Sequence, residues 1–307
     1  MKNEYIIGID IGGTHFRIGL VSPDIEISNF QIFNSEILTV NGHPILNMIE
    51  IIREYINKYV KKKLFAISIG FPSTISKDKK KVYSTPNLNG FDNLDIVEPL
   101  YEVFKVPIIL NKDVNNLLIW DIYNMNIDVK DKIVLGFYIG TGFGNSICID
   151  GKLLEGKNGV AGELGHIPVV GKQDICGCGN KGCIEIYASG KKLTEINEKY
   201  FPETDIKEIF VKHKDEDIIK EYIETLAIPI ATEINIFDPD YIIIGGGVIQ
   251  LPEFPYTYFE RCIKNHVRKP LPADNLSIIY SHHNQDAGIK GAAIYAYKKL
   301  GKESKLV

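Results

Sequence analysis

The feature that most constrains the fold is a pattern that occurs twice. Residues 4–22 run through Tyr5-Ile-Ile-Gly-Ile-Asp10-Ile, turn at Gly12-Gly13-Thr14 and continue as His15-Phe-Arg-Ile-Gly-Leu-Val21. Residues 132–138 read as a buried strand, Gly140-Thr141-Gly142-Phe-Gly144 as a glycine turn and residues 145–149 as a second strand. Two β runs meeting at a glycine turn read as a hairpin. The repetition implies two related α/β domains with a cleft between them, each supplying a phosphate loop. In such a turn the N–H groups of Gly12, Gly13 and Thr14 face one side, where they can cradle phosphate oxygens. Asp10 stands beside them as a candidate ligand for a magnesium-bound water. A plain hairpin is the other reading of this turn, since glycine turns are common. Neither turn has the G-x-G-x-x-G spacing between strand and helix of a dinucleotide site.

A second concentration of chemistry lies near the middle of the chain. Ala161-Gly-Glu163-Leu-Gly-His166-Ile-Pro168 is followed by Cys176-Gly-Cys178-Gly-Asn-Lys-Gly-Cys183-Ile-Glu185. His166 with Cys176, Cys178 and Cys183 makes a three-sulfur, one-nitrogen set suited to tetrahedral zinc, with no position left for a catalytic water. The expected ion is therefore structural. Gly177, Gly179 and Gly182 let the backbone close around it. Glu163 and Glu185 flank the knuckle and suit a polyol better than a closed zinc shell. The alternative is a disulfide with a spare thiol, in a chain of only five cysteines. Cys148 and Cys262 fall in strand-like and helix-like runs and read as buried packing residues.

At 307 residues the chain is long enough for two domains of ordinary size. Its 35 basic and 39 acidic residues leave a net charge of −4, so no general electrostatic drive toward nucleic acid or anionic membrane exists. The N-terminus lacks the basic, apolar, small-residue succession of a leader, and the apolar runs are too short to span a bilayer. The expectation is a cytoplasmic protein.

Between these features the chain alternates. Residues 25–33, 64–70, 106–110, 241–244 and 276–280 read as strands. Ile45, Ile49, Ile52, Ile56 and Tyr59 form one apolar face of a helix, and residues 189–200, 215–236, 254–267 and 287–300 read as further helices. Residues 76–81 read as a hairpin tip and not as a phosphate site. The loop 84–90 carries Asn87, whose amide can donate and accept at once, as sugar hydroxyls require. Asn111-Lys-Asp113-Val-Asn115 follows the strand 106–110 directly, at the end where open α/β sheets bind ligands. Asp113 also reads as a helix N-cap. Gly151-Lys-Leu-Leu-Glu-Gly-Lys157-Asn158 nearly spells a P-loop, but Asn158 replaces the hydroxyl residue and the strand-to-helix context is missing. Gly245-Gly246-Gly247 either admits a flat ring such as adenine or makes a tight strand-to-helix turn.

Taken in order, Asp10-Ile-Gly-Gly-Thr14, Asp113-Val-Asn115, Gly140-Thr-Gly142, Glu163-Leu-Gly-His166, the cysteine knuckle ending in Glu185 and Gly245-Gly-Gly247 resemble the ROK family of repressors and sugar kinases. The resemblance covers nearly the whole chain. It implies an actin-like, ribonuclease-H-like two-domain α/β sugar kinase fold. The domains would be 1–118 with about 288–307, a small N-terminal domain on which the C-terminal helix packs, and 119–287, a larger one carrying the zinc knuckle. It implies transfer of a phosphoryl group from MgATP to the 6-hydroxyl of a hexose, with Asp113 as general base. ATP would meet Asp10, Gly12, Gly13, Thr14, Gly140, Thr141, Gly142, Gly245, Gly246 and Gly247. The sugar would meet Asn87, Asn115, Glu163, His166 and Glu185, with His166 also a zinc ligand. Within the family, residues 76–79, 84–88, 113–121, 235–240, 251–255 and 268–272 are similar to the bacterial D-allose kinases. The alternative is a kinase for glucose, mannose or an N-acylhexosamine. Lys112, Leu117 and Leu118 depart from the Asn and small alanines that the family commonly has around its Asp. A sugar-sensing regulator is the remaining class. The repressors carry an N-terminal helix-turn-helix, for which the phosphate motif beginning at Asp10 leaves no room, so no nucleic-acid or membrane partner is expected. The resemblance leaves room for a homodimer.

Overall fold

The computed structural model describes residues 4–61, 63–85, 88 and 90–301. The chain divides into two compact units: Met1–Asp128, Glu155–Ala161 and Asn284–Val307 form the first, Val129–Leu154 and Gly162–His283 the second.

The first unit runs through β1 (Glu4–Ile11), β2 (His15–Val21), β3 (Ile27–Asn34), α1 (Pro44–Tyr59), β4 (Lys63–Phe71), the short strands β5 (Thr74–Ile75), β6 (Lys81–Ser84) and β7 (Leu94–Asp95), α2 (Val97–Phe104), β8 (Ile108–Lys112) and α3 (Asp113–Asn124). Its main sheet has the order β3-β2-β1-β4-β8. The first three strands are antiparallel, while β4 pairs in parallel with both β1 and β8. That mixture is the ribonuclease-H-like arrangement the resemblance implies. Side chains alternate between the sheet faces. Ile7, Ile9 and Ile11 of β1 with Ile67, Ile69 and Phe71 of β4 join the core under α1, which buries Met48, Ile49, Ile52 and Tyr55. The boundary expected at 118 falls inside α3, which lies wholly in the first unit.

The second unit repeats the pattern. It contains β9 (Ile133–Ile139), β10 (Phe143–Ile149), β11 (Lys152–Leu153), α4 (Gly190–Tyr200), α5 (Ile209–His213), α6 (Asp217–Phe237), β12 (Tyr241–Gly245), α7 (Tyr256–His266) and β13 (Ile278–Tyr280). The sheet order β11-β10-β9-β12-β13 reproduces the first sheet strand for strand, and the hairpin β9–β10 occupies the place of β1–β2. One face packs on α6, whose Ile219, Tyr222, Ile223, Leu226, Ile230 and Ile234 recur at helical spacing. Asn145 of β10 points into this otherwise apolar layer, and its Nδ2 donates to Glu233 Oε2 of α6 at 2.6 Å. Glu233 is only 4% exposed. Burial pushes its carboxyl up to about 7, against a smaller downward pull from the Asn145 hydrogen bond.

The chain then returns to the first unit as α8 (Ala287–Lys299), on the sheet face opposite α1. That face carries Gly8, Ala66, Ser68 and Gly70, and the helix presents Gly288, Gly291, Ala292 and Ala293. Contact is backbone to backbone: a Cβ on Gly8 would lie 2.7 Å from the Ile289 carbonyl oxygen, and one on Gly291 would lie 1.8 Å from that of Asn116 in α3. Ser68 Oγ, fully buried, donates to the Ala292 carbonyl at 2.7 Å. Among the described residues no helix is long and apolar enough to cross a membrane.

Two outcomes are expected from this packing. Gly291→Ala should lower unfolding stability by about 3 kcal/mol or more, since two backbones must separate. Gly247→Ala, where a Cβ meets nothing within 4 Å, should change it by less than about 0.5 kcal/mol. Urea titration checks both, and equal effects would contradict the close packing. An acid that titrates higher folded than unfolded contributes stability that is full below its unfolded value, 4.5, and lost as pH rises through about 7. Glu233→Gln should remove a decline of about 3 kcal/mol over that window. Urea midpoints across pH test it, and parallel wild-type and variant curves would refute it.

Candidate active site and metal centre

In the first unit the candidate residues gather at the C-terminal ends of β1 and β8. Asp10 pairs across the hairpin with Arg17, whose Nη1 lies 3.0 Å from Asp10 Oδ2. Its carboxylate lies where a Cβ on Gly288, in the first turn of α8, would come within 2.6 Å. The turn is closed by Gly12 N–H donating to the His15 carbonyl at 2.8 Å, and Ser35 Oγ donates to the Gly12 carbonyl at 2.6 Å. Gly12 N–H is thereby engaged inside the turn, so the expectation that it faces a phosphate is corrected. The exposed part of the turn is Gly13 and Thr14.

Asp113 is the first residue of α3 and not its cap. Lys112 holds the capping position with extended backbone, and Asp113 Oδ1 accepts from Val114 N–H at 2.8 Å. The helix dipole favours a carboxylate there. Around it lies a cluster of buried amides. Asn111, fully buried, donates from Nδ2 to Asn116 Oδ1 at 2.8 Å and accepts at Oδ1 from Asn115 Nδ2 at 3.2 Å. Lys112, 6% exposed, directs Nζ to the Ala161 carbonyl at 3.4 Å. The structure thus brings Asp10, Asp113 and Asn115 to one end of the same sheet, with Asp10 and Asp113 on either side of Gly70 of β4. Asn87 lies outside the described residues.

In the second unit Gly140, Thr141 and Gly142 form the turn between β9 and β10. Gly140 N–H closes it on the Gly142 carbonyl at 3.1 Å, and the start of α4 donates into it through Gly190 N–H to the Gly140 carbonyl at 2.8 Å. Gly140 N–H is therefore also internal, a second correction to the phosphate expectation. Glu185 Oε2 accepts from Phe143 N–H at 2.9 Å, and a Cβ on Gly142 would come within 2.4 Å of that oxygen. Glu185 is thus seated on the turn backbone. After β12, Gly246 takes φ +99°, and a Cβ on it would lie 2.4 Å from the Ile139 carbonyl oxygen, while Gly247 has open space. Gly246 thus makes the tight turn of one reading, and Gly247 leaves open space beside its backbone. The turn leads into an irregular stretch before α7 and not straight into a helix.

The knuckle is a small hairpin. Pro168 and Cys183 form one antiparallel bridge and Ile175 and Lys181 another, with Val169 N–H donating to the Gly182 carbonyl at 2.8 Å. The ligand atoms of His166, Cys176, Cys178 and Cys183 all lie within 4.8 Å of one another. Cys178 and Cys183 sulfurs are 3.7 Å apart, as are Cys176 Sγ and His166 Nδ1. A disulfide needs about 2.05 Å. Tetrahedral zinc with bonds of about 2.3 Å separates its sulfurs by about 3.7 Å, so the residues fit that ion. His166 turns its other nitrogen, Nε2, toward Glu163 Oε2 at 3.8 Å, the outer carboxylate that orients many metal-bound imidazoles. Burial pushes the Cys176 and Cys183 thiols up, the latter to about 12. Binding a metal would therefore release protons.

The ROK family profile matches residues 6–299. The chain belongs to the ROK family. It is 29% identical to glucokinase from Thermotoga maritima over 98% of this chain and 100% of that one. It is 28% identical to the DNA-binding transcriptional dual regulator NagC of Escherichia coli, over 95% of this chain and 75% of that one. The ROK family glucokinase from Streptomyces griseus, solved with glucose and AMPPNP, matches with a TM-score of 0.80 at 24% identity, over 96% of this chain and 99% of that one. The fold is that of the ROK structures, as the motifs implied. A DNA-binding relative means that family membership does not itself exclude nucleic acid.

Sequence reasoning left out Arg17, Asn111 and Asn116. Arg17 was legible, because a turn centred on Gly13 and Thr14 places it opposite Asp10. The two asparagines show only when strand end and helix start are folded together. Cys178 is exposed, so Cys178→Ser removes little packing. The wild type should carry about one zinc per chain by mass spectrometry, and the variant should lose it with a clear drop in melting temperature. Unchanged metal content in the variant would remove the zinc assignment.

Proposed function

We propose that the chain transfers a phosphoryl group from MgATP to the 6-hydroxyl of a hexose, with D-allose as the first candidate. The observation that carries the reading is Asp113, a carboxylate at a helix N-terminus beside a buried amide cluster, directly after the edge strand β8 of the main sheet. A sugar hydroxyl is a poor nucleophile at neutral pH. Asp113 would accept its proton as the new O–P bond forms and the bond from phosphorus to the bridging oxygen of ADP breaks, contributing about 10²–10⁴-fold. From the first unit, Gly13 and Thr14 would bind phosphate and Asn115 the sugar. Asp10 would approach the magnesium water with its Arg17 partner tempering its charge. From the second unit, Thr141 and Gly142 would bind phosphate, Gly247 would border the base, and Glu163, His166 and Glu185 would hold sugar hydroxyls. Gly12, Gly140, Gly245 and Gly246 would shape the turns. Magnesium supplies charge neutralisation on the phosphates. Cys176, Cys178, Cys183 and His166 would hold the zinc as a structural ion.

The choice of D-allose rests on the motif similarity together with Lys112, Leu117 and Leu118 at positions where the family commonly differs. D-glucose differs from D-allose only in the configuration at C3, and the glucokinase relative supports glucose as the alternative. A cytoplasmic homodimer with no nucleic-acid partner goes with this reading, and the net charge of −4 supports the last point. The regulator class is supported by the DNA-binding relative.

Coupled ADP release with MgATP and D-allose, D-glucose, D-mannose, D-fructose and N-acetylated hexosamines, compared as kcat/KM, tests the reading. Preference for D-allose supports it in full, and preference for another hexose keeps the kinase and discards allose. Sugar binding without turnover favours the regulator. On the preferred sugar, Asp113→Asn should lose about 10²-fold or more in kcat while keeping sugar affinity by calorimetry. Near-normal turnover would remove Asp113 as the base.

A further inference from the structure

The hairpin tip at residues 76–81 reaches the amide cluster beside Asp113. Lys79 is held in a left-handed backbone conformation, φ 59°, and its side chain is only 14% exposed. Its Nζ donates to Asn111 Oδ1 at 3.3 Å and pairs with Glu155 Oε1 at 3.4 Å. Glu155 Oε2 lies 3.5 Å from Lys77 Nζ, which also donates to the Gly156 carbonyl at 2.7 Å. Burial disfavours the Lys79 charge and Glu155 partly offsets that. A charge kept at such cost at a turn tip points to a task beyond solubility.

The task follows from donor and acceptor arithmetic. An amide side chain presents its oxygen or its nitrogen equally well to a neutral partner, but an ammonium has only hydrogens to give. Lys79 therefore obliges Asn111 to turn its oxygen toward the hairpin. The Asn111 nitrogen must then face Asn116 Oδ1, and the shared oxygen draws in Asn115 Nδ2. One ammonium thus sets the orientation of three linked amides, two of them in the first turn of α3 behind Asp113.

We propose that Lys79 is a positioning residue for the sugar, fixing the Asn115 amide through Asn111 without touching substrate. This rests on the sugar-kinase reading and gives a role to a residue of the 76–79 segment, which from sequence reads as part of a hairpin tip. Each neighbour has a distinct part: Asn111 relays the orientation, Glu155 keeps the ammonium charged, and Lys77 ties the 155–156 backbone to the same tip.

The test compares three variants of the full-length protein. Lys79→Arg keeps a donor-only group, Lys79→Met keeps the stem alone, and Lys79→Gln keeps polarity and reach but can give or accept. Lys79→Gln and Lys79→Met should raise KM for the preferred hexose about tenfold, with kcat within about threefold and KM for MgATP unchanged. Lys79→Arg should restore most of the affinity. If Lys79→Met does not fold, Lys79→Gln decides alone. A lower melting temperature with unchanged sugar KM in Lys79→Gln would overturn the proposal, as would Lys79→Arg failing as badly as Lys79→Gln. Calorimetric titration of the same sugars separates the two levels. A wild type that binds hexose without turning it over defeats the kinase reading and leaves the tenfold affinity loss to decide on Lys79. A wild type that binds no hexose defeats both.

Discussion

The first unit depends on how closely α8 lies on its sheet. Ordinary side chains would hold a helix further from a sheet, but here Gly8 lets the main chains of β1 and α8 touch, Gly288 leaves room for the Asp10 carboxylate, and Ser68 hydrogen-bonds the helix backbone directly. The small residues fall on one face of β1 and β4 because strand side chains alternate, and the large isoleucines on the other face form the core under α1. The contact also reaches α3, where the Asn116 carbonyl meets Gly291. A helix clamped by backbone cannot slide, so Asp113 at its start inherits a defined position.

That rigidity makes the buried amide cluster tolerable. Orphaned polar groups in a core cost about 1–3 kcal/mol each, and Asn111, Asn115 and Asn116 offset part of that by bonding one another, although Asn116 Nδ2 is left without a partner. Their hydrogen bonds tie the end of β8 to the first turn of α3. The second unit makes the opposite choice at the equivalent sheet. There α6 lays an apolar face on β9 and β10, and a buried polar pair, Asn145 with Glu233, lies between sheet and helix. Two copies of one topology have been put to different uses: in the first the helix start carries candidate chemistry, in the second the turn and the knuckle do.

Much of this was legible in the sequence. The hairpins at Gly12 and Gly140 and the helix at 45–59 follow from periods of two and 3.6 residues, and the knuckle follows from ligand spacing. The details that failed share a cause. Gly12 and Gly140 were expected to offer N–H groups to phosphate, but a tight turn consumes its first N–H in closing, which depends on turn geometry and not on residue type. Asp113 was readable as a cap because caps favour aspartate, whereas Lys112 takes that place through its extended backbone. The return of residues 155–161 to the first unit had no local signal, since it is recorded only in pairings such as Lys77 with Gly156 and Lys112 with Ala161.

The knuckle shows why a structural ion can matter to a site it does not join. Its two arms carry His166 and the Cys183–Glu185 turn, and the hydrogen bonds between them, such as Ile184 N–H to the Ile167 carbonyl at 2.9 Å, are few. A metal joining His166 to Cys183 would fix the spacing of the arms more firmly than those bonds, because a closed shell restrains four side chains at once. Glu185 leaves the second arm directly and rests on Phe143 N–H, while Glu163 leans on His166 Nε2. The positions of Glu163 and Glu185 are therefore functions of knuckle geometry, and a metal held there would fix both carboxylates along with the arms that carry them.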